Sequence, residues 1–223
     1  MSDAPVISVR GEAVLEVEPE IARLSVHVQS QESDRRPALD RLVERNDRCL
    51  ELIRSYGDAV ERLETGGLSI TPLLKYRRRE GDVRAYQGTV WIKLVVADFA
   101  VLGELVTRLG DLERTYVHGP EWDLRRDSEV YARAARQAAQ EAVARARSYA
   151  DALGARLTGL LELSDEGLGR ADADGPVPVR LAAAYGAAES AAEPEPIDLE
   201  PARRTVRAAV EARFTATAPD LDA

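Results

Sequence analysis

The feature that most constrains this chain is a period-two alternation of apolar and polar residues. It begins within the first ten positions and returns near the C-terminus. Ile7, Val9, Gly11, Ala13, Leu15 and Val17 alternate with Ser8, Arg10, Glu12, Val14 and Glu16. After Glu18-Pro19-Glu20, Ala22, Leu24, Val26 and Val28 alternate with Arg23, Ser25, His27 and Gln29. Successive strand side chains point to opposite faces, so each run predicts a strand with one packed side and one wet side. The Glu-Pro-Glu turn predicts that the two runs form a hairpin, with His27 on the solvent side.

Further along, Leu68 and Ile70 and then Tyr86, Gly88, Val90, Ile92, Leu94 and Val96 repeat the rhythm, as do Val206, Ala208, Val210, Ala212 and Phe214. Shorter strands are predicted over 116–124 and 157–163. Gly66-Gly67 reads as a turn pair without the trailing residues of a phosphate loop. Lys75 to Asp82 reads as a polar hairpin loop.

Between the strands the period changes to three and four. Leu39, Leu42, Val43, Leu50, Ile53 and Tyr56 predict a helix over 34–56, capped at Ser33 or Asp34 and stopped by Gly57. Asn46 lies near its apolar stripe, where the amide needs a partner. Asp98 caps a shorter helix whose face is Phe99, Leu102, Leu105, Val106 and Leu109. The longest helix is predicted over 128–153, with Tyr131, Ala135, Ala138, Ala142, Ala146, Tyr149 and Leu153 inward. Alanine favours the helix and lets it lie close to a sheet.

The resulting order is ββα-ββα-βα-ββ, an α+β fold in which an antiparallel sheet carries its helices on one face. Strand–strand–helix occurs twice, which reads as a structural pseudo-repeat. The expected organisation is one domain over 5–217, a single pleated layer with Leu24, Ile92 and Val210 in one shared interior. Residues 165–200 break the pattern. This stretch is rich in Ala, Gly and Pro and sets nine acids against Arg170 and Arg180, so it reads as a flexible acidic insertion.

That insertion carries most of the formal net charge of −9. The rest is nearly balanced, and with a single short basic run at Lys75 to Arg84 nucleic acid is not the expected partner. No apolar run approaches the roughly 20 residues of a membrane-spanning helix. Met1 to Pro5 show neither the basic start nor the apolar core of a secretory signal, and a cytoplasmic location is the expectation. With Cys49 as the single cysteine among 223 residues, no internal disulfide can form.

No reaction is written in the residues. His27, His118 and Cys49 are not spaced as metal ligands. Cys49 sits beside an apolar stripe and reads as a buried thiol. No catalytic, cofactor-binding or metal-binding residues are therefore assigned, and catalysis is not expected. Two surface features stand out. Trp91 lies on the nominally wet side of its strand with Thr89, Lys93 and Val95, which suggests cover by another strand, a loop of the same chain or a second subunit. Lys75, Tyr76, Arg77, Arg78 and Arg79 form a short cationic loop suited to an acidic segment of its own or a neighbouring chain.

Four stretches give the chain a resemblance to a known family. They are Ile7 to Ala13 followed by Val17 to Ala22; the early helix with Asn46 running to Leu68-Ser69-Ile70-Thr71-Pro72; Ala85-Tyr86-Gln87-Gly88 with Val95-Val96-Ala97-Asp98; and the alanine-rich Ala132 to Gly154. In this order they resemble the SIMPL domain, a family of unknown function. Its members include periplasmic antigens of similar size, a protein linked to oxidative stress and a mammalian protein that binds a signalling kinase. The resemblance implies no catalytic residues. It implies a non-catalytic module acting through self-association or protein–protein binding, with a possible link to stress and a homo-oligomer or protein partner. Trp91, Lys93, Val95, Tyr76, Arg77, Arg78 and Arg79 are its expected interaction surface. The alternative is an enzyme or small-ligand binder with a pocket between sheet and helices, or between subunits.

Overall fold

The computed structural model of the chain describes residues 4–74, 83–165 and 197–220. The elements are β1 (Val6–Val17), β2 (Ile21–Glu32), α1 (Arg35–Arg54), β3 (Val60–Leu74), β4 (Val83–Val96), α2 (Leu102–Gly110), β5 (Thr115–Asp123), α3 (Glu129–Ala152), β6 (Leu157–Asp165) and β7 (Arg204–Ala216). This is the ββα-ββα-βα-ββ order, and the fold is α+β. Ser128 accepts the Val130 amide at the start of α3, and Asp98 accepts the Ala100 amide in the turn before α2. Serine and aspartate at these positions satisfy amides that have no partner within the helix.

The strands do not form one layer. They form two antiparallel sheets, ordered β1-β7-β6 and β3-β4-β2-β5. β1 and β2 are not a hairpin: β1 pairs with β7, Gly11 opposite Val210, whereas β2 lies between β4 and β5. Alternation tells a strand which face to bury but not which strand to join. Size separates the two strands. β1 turns Gly11 and Ala13 inward, matching an alanine-faced helix, while β2 turns in Leu24, Val26 and Val28 to meet larger side chains.

The chain divides into two compact units. The first comprises β1, α3, β6 and β7. Its core is Val9, Ala13, Val210, Ala212 and Phe214 against Ala138, Ala142 and Ala146. Gly11 is where α3 comes closest to the sheet, since a Cβ there would lie 2.2 Å from the Ala138 carbonyl oxygen. The buried stripe of α3 is Ala134, Ala138, Ala142, Ala146 and Ala150, rotated from the expected one; Tyr131, Tyr149 and Leu153 are exposed. Only alanine permits so close an approach, and the tyrosines have no room on that side.

The second unit comprises β2, α1, β3, β4, α2 and β5, a βαββαβ run. The strand order places β4 between the parallel pair β2 and β3, and β2 between the parallel pair β4 and β5. This is the split-βαβ arrangement of ferredoxin-like sheets. The repeat in this unit is therefore βαβ, offset by one strand from the predicted strand–strand–helix. Right-handed crossovers place α1 and α2 on one face. There Leu24, Val26, Val28, Ile92, Leu94 and Val96 meet Leu42, Cys49, Ile53, Leu102, Leu105 and Leu109. Val210 belongs to the other core, so the three residues expected in one interior occupy two. Ser30, fully buried, donates to the Ala38 carbonyl at 2.7 Å. The Asn46 side-chain oxygen has no hydrogen-bond partner among the described residues.

Residues 197–203 follow a chain course not expected of the insertion. Leu199 packs against the core of the second unit, and the Ile197 amide donates to Thr107 Oγ1 at 3.3 Å. Gly66 and Gly67 lie inside β3, beside a register shift, and are not a turn.

Candidate functional site

Two helices cover one side of the four-stranded sheet, so chemistry is to be sought on its other side. Opposed residues of neighbouring antiparallel strands point to the same face. On β4, Thr89, Trp91, Lys93 and Val95 stand opposite Gln29, His27, Ser25 and Arg23 of β2. On the far side of β2, Tyr116 of β5 stands opposite His27, His118 opposite Ser25, and Glu121 opposite Arg23. On the far side of β4, Gly67 and Glu64 of β3 stand opposite Trp91 and Lys93. Period-two reading had placed Trp91, Lys93 and Val95 on this face, and His27 on the wet side. His118 and Tyr116 come from β5, whose pairing with β2 no local pattern discloses.

The centre of the face is aromatic. The Trp91 and His27 rings meet edge to face with centroids 6.1 Å apart, and the His27 and His118 rings are 4.8 Å apart at an interplanar angle of 55°. Trp91 also reaches over β3, where a Cβ on Gly67 would sit 3.3 Å from its Cε3. That glycine leaves the indole room to lie flat. Trp91 and His27 are half-buried, Lys93 and His118 are exposed, and Val95 is buried. Ser25 Oγ lies 3.4 Å from His27 Nε2. Burial lowers the pKa of His27, and the neighbouring His118 lowers it further, which favours neutral imidazole. At the edge of the face, Arg23 pairs with Asp123 at 2.9 Å.

Tyr76, Arg77, Arg78 and Arg79 lie outside the described residues, and so does most of the acidic insertion. Cys49 is on the buried side of α1, and burial pushes its thiol up to about 12. Such a thiol is not a nucleophile at neutral pH. Among the described residues, no group of three or more His, Cys, Asp or Glu side chains gathers at one point.

The first unit presents a different surface. Its helix-free face carries Ser8, Arg10, Glu162, Ser164, Glu211 and Arg213, with Arg10 bonded to Glu12 at 2.7 Å and Arg213 to Glu162 at 3.4 Å. A groove of about 880 Å³ runs past Arg10, Glu12, Tyr131, Asp165 and Arg207. Alternating, mutually paired charges of this kind describe a solvated surface.

Comparison with known proteins agrees with these elements. The family model for SIMPL, described as a protein of unknown function (DUF541), matches residues 7–214. The chain belongs to the SIMPL family. Two relatives are each named a 26 kDa periplasmic immunogenic protein, one from Brucella melitensis and one from Brucella abortus. Each is 26% identical over 166 residues, covering 71% of this chain. The match spans 66% of each relative's length, slightly less than two thirds. The SIMPL match runs through both sheets, from β1 to β7. No helix among the described residues is long and apolar enough to cross a membrane.

Proposed function

We propose that this SIMPL protein is a non-catalytic module that works by self-association, with a second copy docking on the helix-free face of the four-stranded sheet. The observation that carries the reading is the half-buried Trp91 at the centre of that face, whose ring meets His27 edge to face with His118 beyond it. Tryptophan and tyrosine dominate interface energetics because they bury a large rigid area at low entropic cost. Lys93 and Val95 flank the anchor. β3 and β5 are the edges of the same sheet and carry backbone groups that a further strand can pair with. Tyr76, Arg77, Arg78 and Arg79 are proposed, on sequence grounds, as a cationic rim that pairs with the acidic 165–200 segment of the second copy.

Light-scattering mass of the full chain tests this. The expected result is a multiple of 24.4 kDa that falls towards one chain in W91A. Replacing Arg77, Arg78 and Arg79 by alanine should weaken association and reduce its salt dependence. A wild-type monomer at all concentrations sinks the reading, as does an assembly whose mass is the same in W91A. Binding of a small molecule in the Arg10–Arg207 groove, without change of mass, favours the ligand-binding alternative. For location, the relatives' names place those proteins in the periplasm. Recovery of this chain in an osmotic-shock fraction would match them, and recovery in the cytosol would set it apart from them.

A further inference from the structure

The chain has two histidines in 223 residues, separated by 90 positions, and the fold brings them into contact. They arrive on neighbouring strands, His27 from β2 and His118 from β5, on the same face of the sheet. From this placement we infer that His27 and His118 form a bidentate site for one borderline divalent transition-metal ion, of the Cu²⁺, Ni²⁺ or Zn²⁺ class, on the helix-free face beside Trp91.

Distance supports the inference first. A metal–nitrogen bond of about 2.0–2.1 Å, with the ring centre roughly 1.2 Å behind the nitrogen, puts each ring centre about 3.2 Å from the ion. Two such rings at a metal angle of about 90–110° have centres about 4.5–5.2 Å apart. The observed separation is 4.8 Å. The 55° tilt departs from the parallel offset of a stacked pair, and two nitrogens converging on one point need no parallel rings. Placement agrees with distance. His27 Nε2 lies 3.4 Å from Ser25 Oγ, and Ser25 stands directly opposite His118 on the same face of the sheet.

The surroundings suit a ligand pair of this kind. Imidazole nitrogen is the preferred donor for Cu²⁺, Ni²⁺ and Zn²⁺, and both rings must be neutral to bind. His118 is exposed, so an ion has access from solvent and its remaining positions can be filled by water. Strand backbones rather than a loop hold the two ligands, which fixes their separation in advance. The inference goes beyond the docking reading and does not need it, because two rings of one chain make the site.

The test uses the full chain without a polyhistidine tag. Cu²⁺ salt alone is the first probe, since copper binds nitrogen sites most tightly of these ions. One ion per chain is expected, with nitrogen hyperfine structure from two imidazoles in the electron paramagnetic resonance spectrum. Fluorescence of Trp91 should be quenched as copper binds, because its ring lies 6.1 Å from His27. H27A and H118A should each weaken binding by more than about tenfold, with the double variant little worse than either; outer-shell substitutions alone cost about that much. H118A alters an exposed side chain and keeps the test valid should H27A disturb the strand. W91F should lose the quenching and keep the two-nitrogen spectrum. Copper binding unchanged in H118A, a one-nitrogen spectrum, or no binding at stoichiometric copper would each overturn the site. Light scattering on the same samples, with and without copper, separates failure of this inference from failure of self-association.

Discussion

At the scale of single residues, the positions that decide most are those where an atom more or less has nowhere to go. A Cβ at Gly11 would overlap the Ala138 carbonyl oxygen and the Ala142 amide. G11V should therefore destabilise the protein by about 1–3 kcal/mol, the usual cost of forcing extra atoms into a packed contact; a denaturant midpoint measures it. Cys49 gives the pH dependence. Its thiol has an ordinary value of 9.0, and burial moves it to about 12. Above pH 9 the unfolded chain releases this proton while the folded chain holds it. The stability linked to this group is complete below pH 9 and is lost as pH climbs toward about 12. C49A should flatten that alkaline decline, measured as the midpoint against pH. A thiol reagent should label wild type only after denaturant opens the fold. The sequence made Cys49 legible as buried because a cysteine beside an apolar stripe has one reading. His118 was not legible as a neighbour of His27, because nothing within a few residues of either encodes the pairing of β2 with β5.

At the scale of elements, the helices and strands were legible from local periodicity, β3 only in its second half, and of their pairings only the β3–β4 hairpin was. Amphipathic rhythm is a property of a short window, whereas strand pairing is settled by contacts between distant segments. β1 shows the difference. Its alternation was read correctly, and its partner is the last strand of the chain instead of the next. The stripe of α3 failed for another reason. Alanine occupies so many positions that several faces look equally apolar, and the close approach at Gly11 selects one of them. α2 is the simplest element to test. Its Leu102, Leu105 and Leu109 are fully buried under the four-stranded sheet. L105A should cost about 2–5 kcal/mol, the range for truncating a buried leucine. Ser30 is a smaller case: S30A removes a buried bond to Ala38 and should cost about 1 kcal/mol. Thermal denaturation of both variants should rank them in that order.

At the scale of the whole molecule, one expected interior is replaced by two of unlike texture. One core is built mainly of leucine, isoleucine and valine; the other seats the alanines of α3 against Val9, Ala13, Val210, Ala212 and Phe214. Size, more than hydrophobicity, sorts strands between them. Because Ile92 and Phe214 belong to different cores, I92A and F214A should be additive to within about 0.5 kcal/mol. Equilibrium unfolding of wild type, the two single variants and the double measures it, and a larger interaction energy would mean that the cores act as one. The same four unfolding curves bear on the expectation of a single domain, which requires one shared transition.

The pairing of β1 with β7 has a consequence for how the protein is made. Val6 finds its place opposite Thr215, and Val17 opposite Arg204. On the ribosome, β1 must wait for its partner until β7 has been translated. The βαββαβ unit between them has all six elements in hand well before that. Synthesis should thus yield a nascent chain with a finished middle and an unpaired leading strand, a hydrogen-bonding edge left open for any chaperone or neighbouring polysome that meets it.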